Sequence, residues 1–360
     1  VFVPFLSISF YNFRNLEDKA IDLSAPEVFL VGQNGQGKTN LLEALYLAAY
    51  GNSFRTRNEA EIYKKNTNEY SIRVLFKENE ERSHSISIIS KDKKKIIEKN
   101  LKKIHDRKDF ISTIPCILFC HDDLDFATGA PERRRFFIDQ SLSLYDPSYI
   151  DILRNFTKLL KSRNLVLKEK KSEILDVIDA QLIPIGIQII EKRRALIESF
   201  NKIFSSLYEN IGGIDSVMID YSPSWKSTNF DEVLISLIEK RQLDFAMNTS
   251  MSGPHRDKIR FIRNKKPFVQ TASMGQQRLL SLVLRAAQAY FYTEKTKRLP
   301  VLLMDDVLLE LDPEKRKNFT EHLPRYDQLI CTFLPGEPYQ NYIREKSRVY
   351  IVSEGSFRAE

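Results

Sequence analysis

Three widely separated clusters in this 360-residue chain have the residue types and spacing to do chemistry. The first is Gly32, Gln33, Asn34, Gly35, Gln36, Gly37, Lys38, Thr39 and Asn40. Glycines at this spacing let successive backbone N–H groups curl around phosphate oxygens, with Lys38 on the terminal phosphates and the Thr39 hydroxyl on Mg²⁺. The second is Asp305-Asp306, which ends the apolar stretch Pro300-Val301-Leu302-Leu303-Met304. On a strand adjacent to a phosphate loop, the first carboxylate is placed to hold Mg²⁺ through water and the second to polarise an attacking water. The third is Ser273-Met274-Gly275-Gln276-Gln277-Arg278, where a serine N-cap and a glycine expose another set of helix-start N–H groups to an anion. One protomer needs only one phosphate cradle. A second one predicts a site completed by a partner molecule; a plain helix cap is the alternative reading.

These residues need particular elements to position them. Residues 28–31 are apolar and β-prone, and Leu41, Leu42 and Leu45 follow the loop at helical spacing. A strand, a glycine loop and a helix start are therefore expected in succession, with the positive end of the helix added to the anion site. A glycine turn that binds nothing remains the competing reading of the bare pattern. Further strands are expected at 1–9, 21–23, 70–76, 84–90, 114–119, 217–221 and within 252–262. Helices are expected at 132–142, 149–171, 172–208, 231–242 and 279–290, with Pro184 and Gly186 marking a kink or a start. The helical stretch in the middle reads as an insertion between two halves of an α/β domain.

Composition narrows the class. Apolar residues make up 42% and charged residues 29%, which suits a globular chain of about two domains. Lys plus Arg is 55 against Asp plus Glu 48, giving a net charge of +7. That balance is compatible with a polyanionic partner without requiring one. Cys116, Cys120 and Cys331 form no C-x-x-C pair, which argues against a disulfide framework or a zinc site and suits a reducing cytoplasm. No apolar run reaches the roughly 18 residues of a membrane span, so no membrane association is expected. The numbering opens on Val1 and is read as starting inside the natural chain. A basic run (Lys91, Lys93, Lys94, Lys95, Lys99, Lys102, Lys103, Arg107 and Lys108) reads equally as a solvated hairpin or as contact with a DNA backbone. Arg133-Arg134-Arg135 likewise reads as an ion-pair cluster or as a DNA surface.

Taken in order, the motifs resemble the RecF family of ABC/SMC-like ATPases over nearly the whole chain. They are Asn12-Phe13-Arg14-Asn15, the phosphate loop through Glu43-Ala44, Ser53-Phe54-Arg55-Thr56, Arg133-Arg134-Arg135-Phe136, and Arg163-Asn164 with the residues that follow. Ser252-Gly253-Pro254-His255-Arg256-Asp257, Gly275-Gln276-Gln277-Arg278 and Asp305-Asp306-Val307 with Glu310-Leu311-Asp312 complete the set. The resemblance implies an α/β ABC-ATPase head, like that of SMC proteins, with a short helical lobe and no long coiled coil. The head would comprise residues 1–127 and 248–360, and the inserted, mainly helical lobe residues 128–247. It also implies a cytoplasmic DNA-repair ATPase that uses ATP and Mg²⁺ and hydrolyses slowly. An ATP-dependent homodimer would close on double- and single-stranded DNA at gap junctions, and work with RecR and RecO to load the RecA recombinase.

By the same resemblance, residues 32–40 bind ATP with Arg14 and Arg55 nearby, and Lys38, Asp305 and Asp306 are catalytic. Thr39 and Asp305 would hold the metal, while Ser273, Gly275 and Gln276 would contact the partner's nucleotide. Several positions depart from the family pattern: Met274 follows the signature serine, and Leu309 replaces a serine after the carboxylate pair. His121-Asp122-Asp123-Leu124 replaces Pro-Glu-Asp-Leu, residues 51–125 contain no glutamine, and Thr332 stands where a switch histidine would lie. These departures leave two alternatives open: a nucleotide-responsive adaptor with negligible hydrolysis, or an SMC-like ATPase of another pathway.

Overall fold

The structure is a computed structural model describing residues 2–79, 81–106, 108–111 and 113–360, with only the backbone of Asp109 and Glu310. Val1 of the first expected strand and Arg107 of the basic run lie outside the described residues. Contacts divide the chain into two units, residues 1–123 with 288–360, and residues 124–287.

The first unit contains, in chain order, β1 (Phe5–Tyr11), β2 (Ala20–Asp22), β3 (Glu27–Val31), α1 (Lys38–Tyr50), β4 (Glu69–Lys77), β5 (Ser83–Lys91), β6 (Lys94–Lys99), β7 (Lys102–Lys103), α2 (Lys108–Ile111) and β8 (Cys116–Phe119). The second unit follows with α3 (Leu124–Thr128), α4 (Pro131–Tyr145), α5 (Ser148–Glu169), α6 (Leu175–Gly212), β9 (Val217–Ser222), α7 (Phe230–Met247), β10 (Lys258–Arg263), β11 (Lys266–Pro267) and α8 (Met274–Thr296). The chain returns to the first unit within α8 and ends with β12 (Val301–Met304), α9 (Pro313–Glu321), β13 (Gln328–Phe333), β14 (Arg348–Ser353) and β15 (Ser356–Ala359).

Two sheets build the first unit. The core sheet runs β15-β14-β3-β13-β12-β8, with every pairing parallel except that of the terminal hairpin β14–β15. Its strands β3, β8, β12 and β13 are buried at every position, as expected of parallel strands covered on both faces. The other sheet, β2-β1-β4-β5-β6-β7, is antiparallel, and its alternating burial gives one packed and one solvated face. Helix α1 contacts both sheets, which explains why ten of its thirteen residues are buried. Gln328 ties the sheets together: its Nε2 donates to the carbonyls of Phe5, Leu23 and Ala25, and its Oε1 accepts from Phe5 N at 2.9 Å.

The carboxylate-bearing strand β12 and the phosphate-loop strand β3 are not paired directly. β13 lies between them, pairing Thr332 with Leu30 of β3 and Cys331 with Met304 of β12. A strand more than 290 residues after the phosphate loop can occupy this slot because parallel pairing requires a crossover rather than a hairpin.

The sequence marked Pro184 and Gly186 as a kink or a start; they do not start a helix, since α6 runs through both as a 38-residue helix. Pro184 is exposed, so water can satisfy the carbonyl it frees. Gly186 is buried against the Trp225 ring, which a Cβ there would approach to 2.3 Å. Contacts group residues 248–287, which the sequence assigned to the head, with the second unit. The cause is β-pairing: β10 aligns antiparallel with β9, and Asn201 of α6 clasps that sheet through both the N–H and the carbonyl of Ile219, each at 2.8 Å. Among the described residues no helix is long and apolar enough to cross a membrane.

Candidate nucleotide site

The phosphate loop follows from its glycines. Gly35 and Gly37 sit at φ +78° and +116°, a region that strains side chains with a Cβ. Gly37 also has no room for one, since Leu16 Cδ2 would lie 2.9 Å away. It is the N-cap of α1 and offers no side chain to the helix, and the first turn of α1 holds no acidic residue. The first-turn N–H groups of α1 are therefore left without a side-chain cap, which is the condition under which a helix start takes an anion.

Lys38 is 3% exposed, and its Nζ donates to Gly32 O at 2.6 Å and to Gln33 O at 3.4 Å. It also lies 3.5 Å from Asp306 Oδ2. Thr39 Oγ1 donates to Asp305 Oδ1 at 2.9 Å across a separation of 266 residues. Thr332 of β13 completes the group: its hydroxyl accepts from Asp306 N at 2.7 Å and lies 2.7 Å from Asp306 Oδ1 and 3.3 Å from Asp305 Oδ1. The structure thus brings together Lys38, Thr39, Asp305 and Asp306, the residues the sequence marked for phosphate, metal and base. Burial pushes the Asp305 carboxyl up to about 6; the Thr39 hydrogen bond opposes that shift and the neighbouring Asp306 charge adds to it. Two hard oxygen donors, Thr39 and Asp305, suit Mg²⁺, which binds a few protein oxygens together with phosphates and water. Among the described residues no group of three or more His, Cys, Asp or Glu could hold a metal ion.

Other expected residues have more than one partner. Gln36 accepts through Oε1 from Glu354 N at 2.6 Å and through its carbonyl from Gly355 N at 2.8 Å. The C-terminal hairpin turn, Glu354 and Gly355 at φ +49° and +81°, thereby props the phosphate loop from outside. Arg14 forms a two-pronged pair with Glu43, at 2.7 and 2.9 Å, and Arg55 Nη1 lies 2.7 Å from Asn40 Oδ1. Asn40 Nδ2 donates to Asn15 Oδ1 at 2.6 Å, and Asn15 Nδ2 to Gly35 O at 3.2 Å. The roles of Glu43, Asn15 and the 354–355 turn were not assigned from sequence. The buried charge of Glu43 on an otherwise apolar helix was the one local signal available.

Ser273, Gly275 and Gln276 belong to the other unit. Ser273 and Gln276 form a reciprocal capping box at the start of α8: Ser273 N donates to Gln276 Oε1 at 2.8 Å, and Gln276 N to Ser273 Oγ at 3.3 Å. Met274 is 60% exposed, and a Cβ on Gly275 would meet nothing within 4 Å. Neighbouring motifs serve packing. Arg163, fully buried, binds Asp179 and Asp244 at 2.6 Å and Ser250 at 2.8 Å, and Asn164 accepts from Ser250 N. Arg193 joins Asp139 to Asp257 at 2.8 and 2.9 Å and caps Pro254 O. The three-arginine run is likewise engaged within its unit: Arg133 with Asp125, Arg134 with the carbonyls of Ala127 and Gly129, Arg135 with Asp257 O and Glu132.

The RecF/RecN/SMC N-terminal domain family matches residues 5–356. The DNA replication and repair protein RecF of Treponema pallidum is 56% identical over 347 residues, covering 96% of this chain and 98% of that protein. RecF of Leptospira interrogans is 31% identical, with coverage of 99% and 98%. A solved structure of the recombination mediator protein RecF-ATP in the RecFOR pathway has a TM-score of 0.89 at 26% identity, covering 100% of this chain and 99% of that one. An Smc head domain from Pyrococcus furiosus, bound to the C-terminal domain of ScpA, shares the fold at a TM-score of 0.58 and 16% identity, with coverage of 99% and 96%. With that fold, no helix longer than 38 residues among the described residues, and these relatives, the chain belongs to the RecF family of ABC/SMC-like ATPases.

Proposed function

We propose that this protein is an ATP-dependent DNA-binding protein of recombinational repair, which closes as a homodimer on DNA at single-strand gaps and is reset by slow, DNA-stimulated ATP hydrolysis. The observation that carries this reading is a pair of glycine-bearing helix starts on separate units. One, at α1, has no side-chain cap and is equipped with Lys38, Thr39, Asp305 and Asp306. The other, at α8, is closed by the Ser273–Gln276 box, leaves Gly275 open and lacks those partners; in this reading the Ser273 hydroxyl leaves Gln276 N for a partner's nucleotide. A second copy of the chain would let each signature helix face the other copy's nucleotide.

In this reading Lys38 releases the Gly32 and Gln33 carbonyls to engage the terminal phosphates of ATP, and residues 32–40 cradle the phosphate chain. Thr39 and Asp305 would hold Mg²⁺, which would supply positive charge to the phosphate oxygens. Asp306, held by the Thr332 hydroxyl, orients the attacking water and accepts its proton. Thr332 offers no imidazole at the terminal phosphate, which supports slow turnover. Lys93, Lys94, Lys102, Lys158 and Lys161 are exposed and available to DNA phosphates. The recombinational role, with RecO and RecR as partners in loading RecA, is supported by the pathway to which the RecF-ATP structure belongs.

Sedimentation velocity tests the proposal. A dimer is expected with ATP–Mg²⁺ and a monomer with ADP, with Asp306→Asn prolonging the dimer. A chain that stays monomeric with ATP at low micromolar concentration, in both forms, would remove the basis of the sandwich.

A further inference from the structure

The sequence groups Arg14 and Arg55 as nucleotide contacts, but the geometry separates them, and the residue that separates them is Glu43. This carboxylate is 0% exposed and sits one turn along α1 from Thr39 and Asn40. Its Oε1 accepts from Arg14 Nη2 and from the Ser53 hydroxyl, and its Oε2 from Arg14 Nε and Arg55 Nη1. One buried negative charge therefore faces two guanidinium groups.

The two arginines differ in how they are held. Arg14 has both prongs of its fork on Glu43, its third nitrogen on Glu61 O, and a side chain 16% exposed. Arg55 touches Glu43 through one nitrogen at the longer distance of 3.3 Å and is 41% exposed. Its Nε and Nη2 have no hydrogen-bond partner among the described residues. Arg14 therefore takes the larger share of the Glu43 charge, leaving Arg55 as a partly compensated cation beside the phosphate loop. The loop carrying Arg55 is fixed by the same carboxylate: Ser53 donates to Glu43 while its hydroxyl accepts from the N–H groups of Arg55 and Thr56, at 3.0 and 3.1 Å. A chain of amides then links Arg55 to the phosphate loop, through Asn40 and Asn15 to the carbonyl of Gly35.

We propose that Glu43 is a positioning residue for the nucleotide site: it immobilises Arg14 as a pillar and tethers the Ser53–Thr56 loop so that Arg55 is delivered to the phosphate chain of the nucleotide. The inference rests on the nucleotide reading above and adds to it a division of labour between the two arginines. A carboxylate that served the fold alone would be satisfied by Arg14. The tether through Ser53 and the shared Arg55 contact have no such explanation.

The test is a double-mutant cycle read by ATP–Mg²⁺ affinity, with wild type, Glu43→Gln, Arg55→Ala, the double variant and Lys38→Met. Arg55→Ala is expected to weaken ATP binding about tenfold, the scale of one charge-assisted hydrogen bond. Glu43→Gln should weaken it to a similar extent, and in the Arg55→Ala background should add nothing. A purely structural Glu43 would weaken binding equally in both backgrounds, and that result overturns the proposal. Where Glu43→Gln does not fold, Ser53→Ala removes only the tether; its loss of affinity should again vanish in the Arg55→Ala background, and persistence there overturns the proposal. Wild-type affinity in Glu43→Gln, with binding lost in Lys38→Met, removes the proposal alone. Binding by Lys38→Met equal to wild type removes the nucleotide reading and the proposal with it.

Discussion

Replacing Asp305 with asparagine should stabilise the nucleotide-free protein while abolishing its response to ATP–Mg²⁺. The carboxyl is pushed up to about 6 from an ordinary 3.8, chiefly by burial. A shift of that size corresponds to a ceiling of ~3 kcal/mol. Because the carboxylate keeps some access to solvent and shares its surroundings with Asp306, ~1–2 kcal/mol is the realistic gain on removing the charge. Asparagine retains an oxygen to accept from Thr39 and Thr332, so the hydrogen bonds at 2.9 and 3.3 Å survive. The sign follows from linkage. With its folded pKa raised, Asp305 retains a proton in the native state that the unfolded chain has already released between about pH 4 and 6. Wild-type stability from this group therefore falls as pH rises through that window and stays lower above it. Thermal melting without nucleotide should show Asp305→Asn a few degrees above wild type near neutral pH, with the gain shrinking toward about pH 5. Adding ATP–Mg²⁺ should raise the wild-type midpoint and leave the variant unmoved. A variant that melts at or below wild type near neutral pH, or gains equally at acid pH, would refute the reasoning.

Three further outcomes follow from the same geometry. Gly355→Ala places a Cβ 2.0 Å from Asn15 O at φ +81°, and melting should report a loss of ~3 kcal/mol or more together with weaker ATP binding, because the hairpin turn props Gln36. Gly275→Glu has open space for its side chain, so it should melt like wild type yet fail to dimerise with ATP when followed by sedimentation. ATP–Mg²⁺ affinity, measured by titration calorimetry, should drop toward tenfold per pH unit below about pH 6, as metal binding requires Asp305 to shed its proton.

The local part of this structure was legible in the sequence. Glycine spacing, an apolar strand and leucines at helical period place β3, the loop and α1 nearly residue for residue, and alternation places β4 and β5. What sequence did not reveal depends on contacts made far along the chain. Nothing near the phosphate loop announces that β13 will separate it from the carboxylate strand and set Thr332 between the two acids. Gly355 looks like an ordinary turn glycine until its hairpin is seen against Asn15. Residues 248–287 group with the second unit because β10 pairs with β9 across an intervening helix, and that pairing leaves no periodic signature. Pro184 does not start a helix because a proline on the solvent face of a long helix costs far less than one on its buried face. Glu43, in a family motif, revealed its role only once Arg14, Ser53 and Arg55 converged on it.

The central claim is that nucleotide gates DNA binding, and fluorescence anisotropy of a gapped duplex titrated with the protein tests it most directly. The duplex should be bound tightly with ATP–Mg²⁺, weakly with ADP–Mg²⁺ or no nucleotide, and weakly in every state by Lys38→Met. Equal binding in all three nucleotide states would contradict the account.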